Sequence, residues 1–189
     1  MRNLLIVLLL TVTLLSCNQS RYDQVYSEQK YNESLNRMSQ TDSLSYVFQN
    51  EYLSLDSKVI DVFSKDEWII RDLIIPDRIF LYISDIQCNT CIDQELDMIK
   101  KFYKSGEIIL LCKYQSERDL KLYLKLNKFE YPSYFIKSEV SSLMERFTSP
   151  VYFRLSSEAK PTSVFFASIS TPDKSIQYHT LQSNFPRSN

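Results

Sequence analysis

Apolar and polar positions change character near Lys58. From Asn18 to about Asp56 the chain is polar and tyrosine-rich, without sustained strand alternation. One stretch there, SLSYVFQNEYLSL, places Leu44, Val47, Phe48, Tyr52 and Leu55 near one helical face and predicts a helix. Beyond Lys58, KVIDVF and EWIIRDLII are short apolar runs, the second ended by a turn at Pro76-Asp77. RIFLYIS (78–84) has the β-branched and aromatic content of a strand. In IDQELDMIKKFYKSG, Ile92, Leu96, Ile99 and Phe102 or Tyr103 recur at helical spacing, and Gly106 is a stop signal. EIILLCKY is nearly continuous in apolar residues, as a strand covered on both faces is. SERDLKLYLKLNKF predicts a second helix with Ser116 as its N-cap. Then come a short extended piece (YPSYFI), a short helix (SSLMERF), and strands VYFRLS and SVFFAS joined as a hairpin. DKSIQYHTLQSNF has the makings of a last helix. Alternating strands and helices with a closing hairpin predict an α/β domain with a mixed central sheet and flanking helices.

The N-terminus follows a different rule. After Met1-Arg2-Asn3, the run Leu4 to Leu15 is apolar apart from Thr11 and Thr13, and Ser16 and Cys17 follow. The run is shorter than the roughly 20 residues of a membrane span and has the shape of a secretory signal. Leu14-Leu15-Ser16-Cys17 resembles the lipobox of bacterial lipoproteins, which implies cleavage before Cys17 and its acylation. The expected organisation is a signal peptide over 1–16, a lipidated N-terminus and tether over 17–57, and a folded domain over 58–189. The membrane is then a partner through the lipid, and the location is the bacterial cell envelope. Asn18 is not the Asp that marks inner-membrane retention in some bacteria, which favours the outer membrane.

Composition narrows the chemistry. Hydrophobic residues make up 44% of the chain, with 11 Phe and 13 Tyr, enough for a core held by packing. The formal charge of −1 offers no basic field for nucleic acid. A single glycine excludes Gly-rich phosphate loops. Of the four cysteines, Cys17 is assigned to lipid, Cys112 lies inside an apolar strand and reads as a small hydrophobe, and Cys88 and Cys91 remain.

That pair, in DIQCNTCIDQEL, follows a buried strand and opens a helix. Helix N-termini carry unpartnered N–H groups and partial positive charge, which stabilise a thiolate, the reactive form. Cys88 therefore reads as the nucleophile and Cys91 as the resolving thiol. Metal binding is a poor alternative, because the only histidine is His179 in the tail. No metal and no cofactor are expected. The charged positions of the following helix (Asp93, Glu95, Asp97, Lys100, Lys101, Lys104) read as a solvated face, and Trp68 and Tyr178 as packing residues.

The strand leading into Cys88-Asn89-Thr90-Cys91, the helix after it and Ser149-Pro150 before VYFRL together resemble the thioredoxin-like family over about 58–185. The resemblance implies a thioredoxin-like three-layer fold. It also implies that Ser149 and Pro150 contact substrate, with Pro150 as a cis proline beside the pair. The segment between Phe129 and Phe147 resembles an insertion of membrane-anchored and peroxiredoxin-like relatives. The chain departs from the family at Gln87, where an aromatic is usual, at Asn89-Thr90, where Gly-Pro is usual, and at Tyr82, where thioredoxins bury an Asp. These departures argue against vigorous general oxidoreductase activity and leave the fold expectation intact. The expected function is membrane-anchored thiol–disulfide exchange with envelope protein thiols or disulfides. The alternative is a tethered binding module whose cysteine pair is only a staple.

Overall fold

The computed structural model describes residues 43–75 and 77–183. The N-terminal apolar run, Cys17 and Pro76 lie outside the described residues, within which no helix is long and apolar enough to cross a membrane. The unit Ser45–Asn189 carries the fold.

Among the described residues seven strands form one mixed sheet. In chain order they are β1 (Lys58–Asp61), β2 (Glu67–Ile69), β3 (Ile79–Ser84), β4 (Ile108–Lys113), β5 (Ser133–Ile136), β6 (Val151–Leu155) and β7 (Pro161–Phe166). The spatial order is β2-β1-β5-β4-β3-β6-β7. The central pairs β3–β4 and β4–β5 are parallel, and the flanking pairs are antiparallel. The α-helices among the described residues are α1 (43–49), α2 (Asn89–Phe102), α3 (Glu117–Leu126) and α4 (Pro172–Ser183).

Strand side chains alternate between the faces, so one sheet builds two cores. Phe80, Tyr82, Ile109, Leu111, Val151 and Phe153 join Phe48 of α1, Leu53, Leu73, Met144 and Phe147 on one side. Ile79, Leu81, Ile83, Ile108, Leu110, Cys112 and Tyr152 meet Ile92, Leu96 and Ile99 of α2 and Leu120 and Leu124 of α3 on the other. Each fully buried large apolar side chain contributes about 1.5–3 kcal/mol. Residues 45–57, read from the sequence as tether, thus place Phe48 and Leu53 in the first core.

Local signals act as expected at several places. Ser116 Oγ accepts the Asp119 N–H (3.1 Å) and caps α3. Chain reversal after α2 uses Gly106 at φ +93°, a conformation glycine adopts without steric penalty. SSLMERF departs from expectation: only one 3₁₀ turn, Met144–Arg146, forms there. Ser141 Oγ accepts the N–H groups of Leu143 (3.1 Å) and Met144 (3.3 Å), so a side chain takes the place of the first helical carbonyls.

Candidate thiol site

β3, buried along its whole length, delivers the chain to the edge of the sheet. A tight turn follows, in which Gln87 N–H bonds to Ser84 O (3.1 Å). Gln87 is itself buried. Its Oε1 accepts the Ser84 N–H and its Nε2 donates to Phe147 O, both at 3.2 Å. An aromatic residue here could not make this two-ended bridge, so the departure at Gln87 has a structural use. It ties the turn before Cys88 to the segment that leads into Pro150.

Cys88 is the N-cap residue of α2 and is exposed, whereas Cys91, one turn on, is buried. The Cys91 thiol hydrogen-bonds to the Cys88 sulfur and holds the Cys88 thiol below its ordinary value, helped by the backbone N–H groups of Cys91 and Thr90 and the Thr90 hydroxyl. Cys91 moves the opposite way. Burial pushes its thiol up, the Cys88 sulfur and the Glu95 charge add to this, and the Ile169 N–H opposes it. Cys112 is fully enclosed, and burial alone drives its thiol far up. One exposed, activated thiol beside one buried, protonated thiol is the division of labour that thiol–disulfide exchange requires.

The Ser149–Pro150 peptide is trans, since no cis peptide bond occurs among the described residues; this corrects the cis expectation. Pro150 O accepts the Ala167 N–H (2.9 Å), which extends the β6–β7 pairing by one step. Strand pairing, not an isolated tight turn, thus fixes the proline. The Gln87–Phe147 bond ties the segment before Pro150 to the turn before Cys88, and Ile169, two residues beyond Ala167, offers its N–H to Cys91. Exposed Ile86 and Ile169 stand close to the pair in chain and in space.

The solvated-face reading of α2 fails at one position. Asp97 and Lys100 do form an exposed ion pair (2.8 Å), but Glu95 is 1% exposed. Its Oε2 accepts from Tyr152 OH (2.9 Å), its Oε1 accepts from Ser175 Oγ (2.9 Å), and His179 Nε2 lies 3.1 Å from Oε2. His179 Nδ1 is 2.9 Å from Tyr103 OH. The sequence held a signal for this. Glu95 lies at i+3 from Ile92 and i+4 from Cys91, inside the apolar stripe of α2, and Ser175, His179 and Gln182 recur at helical spacing along α4. Among the described residues no group of three or more His, Cys, Asp or Glu could hold a metal ion.

This architecture, a mixed sheet with flanking helices and a cysteine pair at its β3–α2 junction, is the thioredoxin-like fold. One solved structure that it resembles agrees. A thioredoxin-like protein from Porphyromonas gingivalis superposes with a TM-score of 0.52 at 14% identity, over 74% of this chain and 97% of that one. A thiol-disulfide isomerase from Corynebacterium glutamicum gives 0.45 at 12% identity, over 71% and 97%. A secreted disulfide oxidoreductase from Mycobacterium tuberculosis gives 0.48 at 7% identity, over 67% and 96%. No family model matches the chain, and no curated protein matches it.

Proposed function

We propose that this protein is a membrane-anchored thiol–disulfide exchange protein acting on envelope proteins through Cys88 and Cys91. The observation that carries the reading is the contrast within the pair: an exposed, activated Cys88 at the N-terminus of α2 beside a buried, protonated Cys91. In the reductive direction the Cys88 thiolate attacks a substrate disulfide, forming a mixed disulfide and releasing one substrate thiolate. Cys91 then attacks the Cys88 sulfur. The Cys88–Cys91 disulfide forms, the bond from Cys88 to substrate breaks, and the second substrate thiolate leaves with the Cys91 proton. Two electrons pass from the pair to the substrate. Ser149 and Pro150, which follow the Phe147 that Gln87 ties to the turn before Cys88, are the proposed backbone contacts for the substrate chain. Cys17 is the proposed lipid attachment point, and Cys17→Ala is expected to free the protein from membranes.

The groups that lower the Cys88 thiol are all neutral hydrogen-bond donors. Such support is weaker than a cation, so the pair is expected to be a reductant or isomerase-like exchanger, with a potential nearer about −270 mV than about −120 mV. The pH dependence of alkylation tests the assignment. A thiol whose pKa is lowered gains thiolate at lower pH, so Cys88 should react with iodoacetamide with a midpoint below the free-thiol value of about 8.5. Cys91, raised, should react only at higher pH. Equal protection of both after mild reduction would favour a structural staple and defeat the proposal.

A further inference from the structure

Glu95 is the only acidic side chain that is buried among the described residues, and His179 is the only histidine in the chain. The fold brings them together at 3.1 Å, both essentially sealed from solvent, with Glu95 one turn beyond Cys91 on α2 and His179 on α4. Isolating a carboxylate from water costs several kcal/mol unless donors replace the water. Here they come from three places: Tyr152 of β6, and Ser175 and His179 of α4. Stability does not account for this arrangement, because buried ion pairs replaced by apolar residues of similar size are often neutral or stabilising.

Position on the helix supplies another account. Residues i and i+4 are neighbours, about 5–6 Å apart between Cβ atoms, and helical side chains lean towards the N-terminus. Glu95 therefore points its charge along the α2 face that carries Cys91. The charged and titratable groups around it are Tyr103 at the end of α2, Tyr152 and Arg154 on β6, and Tyr178 and His179 on α4. Arg154 is directed to Asp77 and Gln182. Asp93, also on α2, is taken up by Tyr123 of α3. Cys91 itself faces Cys88 and the Ile169 N–H.

We propose that Glu95, clamped by Tyr152, Ser175 and His179, is a positioning residue that keeps the proton on Cys91 and so sets the lifetime of the mixed disulfide on Cys88. The inference rests on the exchange reading above. The second step of exchange needs Cys91 as a thiolate, and a like charge beneath it disfavours that form. Resolution is delayed, Cys88 remains the sole nucleophile, and a bound substrate has time to rearrange its own disulfides. The substrate class this favours is a protein with more than one cysteine, since only such a substrate gains from a long-lived adduct.

The test uses Glu95→Gln, which keeps the shape and removes the charge, and Glu95→Asp, which keeps the charge. Thiolate absorbance of the soluble chain in a Cys88→Ser background reads Cys91 without any exchange. Glu95→Gln should lower its titration midpoint, while Glu95→Asp leaves it near the parent value. Each tenfold gain in thiolate, offset by the lower nucleophilicity of a less basic thiol, should speed release of glutathione from a Cys88–glutathione adduct by about threefold. Tyr152→Phe, which removes one donor and leaves the charge, should move the Cys91 midpoint upward; it decides the matter if Glu95→Gln does not fold. An unmoved midpoint in the variant that decides, or slower release in Glu95→Gln, overturns the proposal. A parent protein that forms no glutathione adduct overturns the exchange reading instead, and the Cys91 titration still judges Glu95.

Discussion

The two sides of the sheet solve burial in opposite ways. The α1 side is a dense aromatic core. Phe48 meets Phe147 and Phe153 edge-on at 5.1 and 5.4 Å, and Phe80 stacks on Phe153 at 5.6 Å. On the α2 side, an apolar core under α2 and α3 gives way beneath α4 to a polar knot of Glu95, Tyr103, Tyr152, Ser175 and His179. There α4 is inverted relative to an ordinary amphipathic helix: Ser175 and His179 are at 0% exposure, while Ile176 and Leu181 are at 38% and 62%. The lesson is that the polar side coincides with the cysteine pair. Packing supplies stability on one face, and the other face gives up some of that freedom to surround a charge.

The comparison can be broken most severely on the aromatic side. Phe153→Ala should cost about 3–5 kcal/mol, since the ring is fully enclosed and its neighbours cannot close the void. Chemical denaturation would report this as a lower midpoint at unchanged slope. On the polar side, Ser175→Ala removes one of three donors to a buried carboxylate and should cost about 1–3 kcal/mol. Its thermal midpoint should fall less than that of Phe153→Ala; a larger fall would mean that the polar knot is the main source of stability. Away from both cores, Ser116→Ala should cost about 1 kcal/mol through loss of the α3 cap. Smallest of all, Lys137→Ala breaks an exposed pair with Glu67 (2.6 Å) and should change stability by less than about 0.5 kcal/mol.

The aromatic and aliphatic parts of the fold were legible in the sequence because period tracks burial there. Runs of apolar, β-branched and aromatic residues gave β3, β4 and β6, the 3.6-residue spacing of Ile92, Leu96 and Ile99 gave α2, and Ser116 marked the start of α3. The cysteine pair was legible for a similar reason, since a strand-to-helix junction is a local feature. The polar knot was not. A charged residue on a helix reads as solvated unless something distant meets it, and Glu95 meets residues more than 50 positions away. The proline geometry failed differently: family likeness suggested a cis peptide, while the pairing of Pro150 O with Ala167 is satisfied in trans. The role of Gln87 was hidden because its two partners, Ser84 and Phe147, are 63 residues apart in the chain but adjacent in space.

The central claim is that Cys88 attacks and Cys91 resolves. It is tested most directly by treating Cys91→Ser and Cys88→Ser variants of the whole chain with oxidised glutathione and measuring adduct mass and position. The account predicts a persistent single glutathione adduct on Cys88 in Cys91→Ser, because nothing remains to resolve it, and no comparable adduct on the buried Cys91 or Cys112 in Cys88→Ser. Equal labelling of the two variants, or an adduct on Cys91 that forms faster than the one on Cys88, would contradict it.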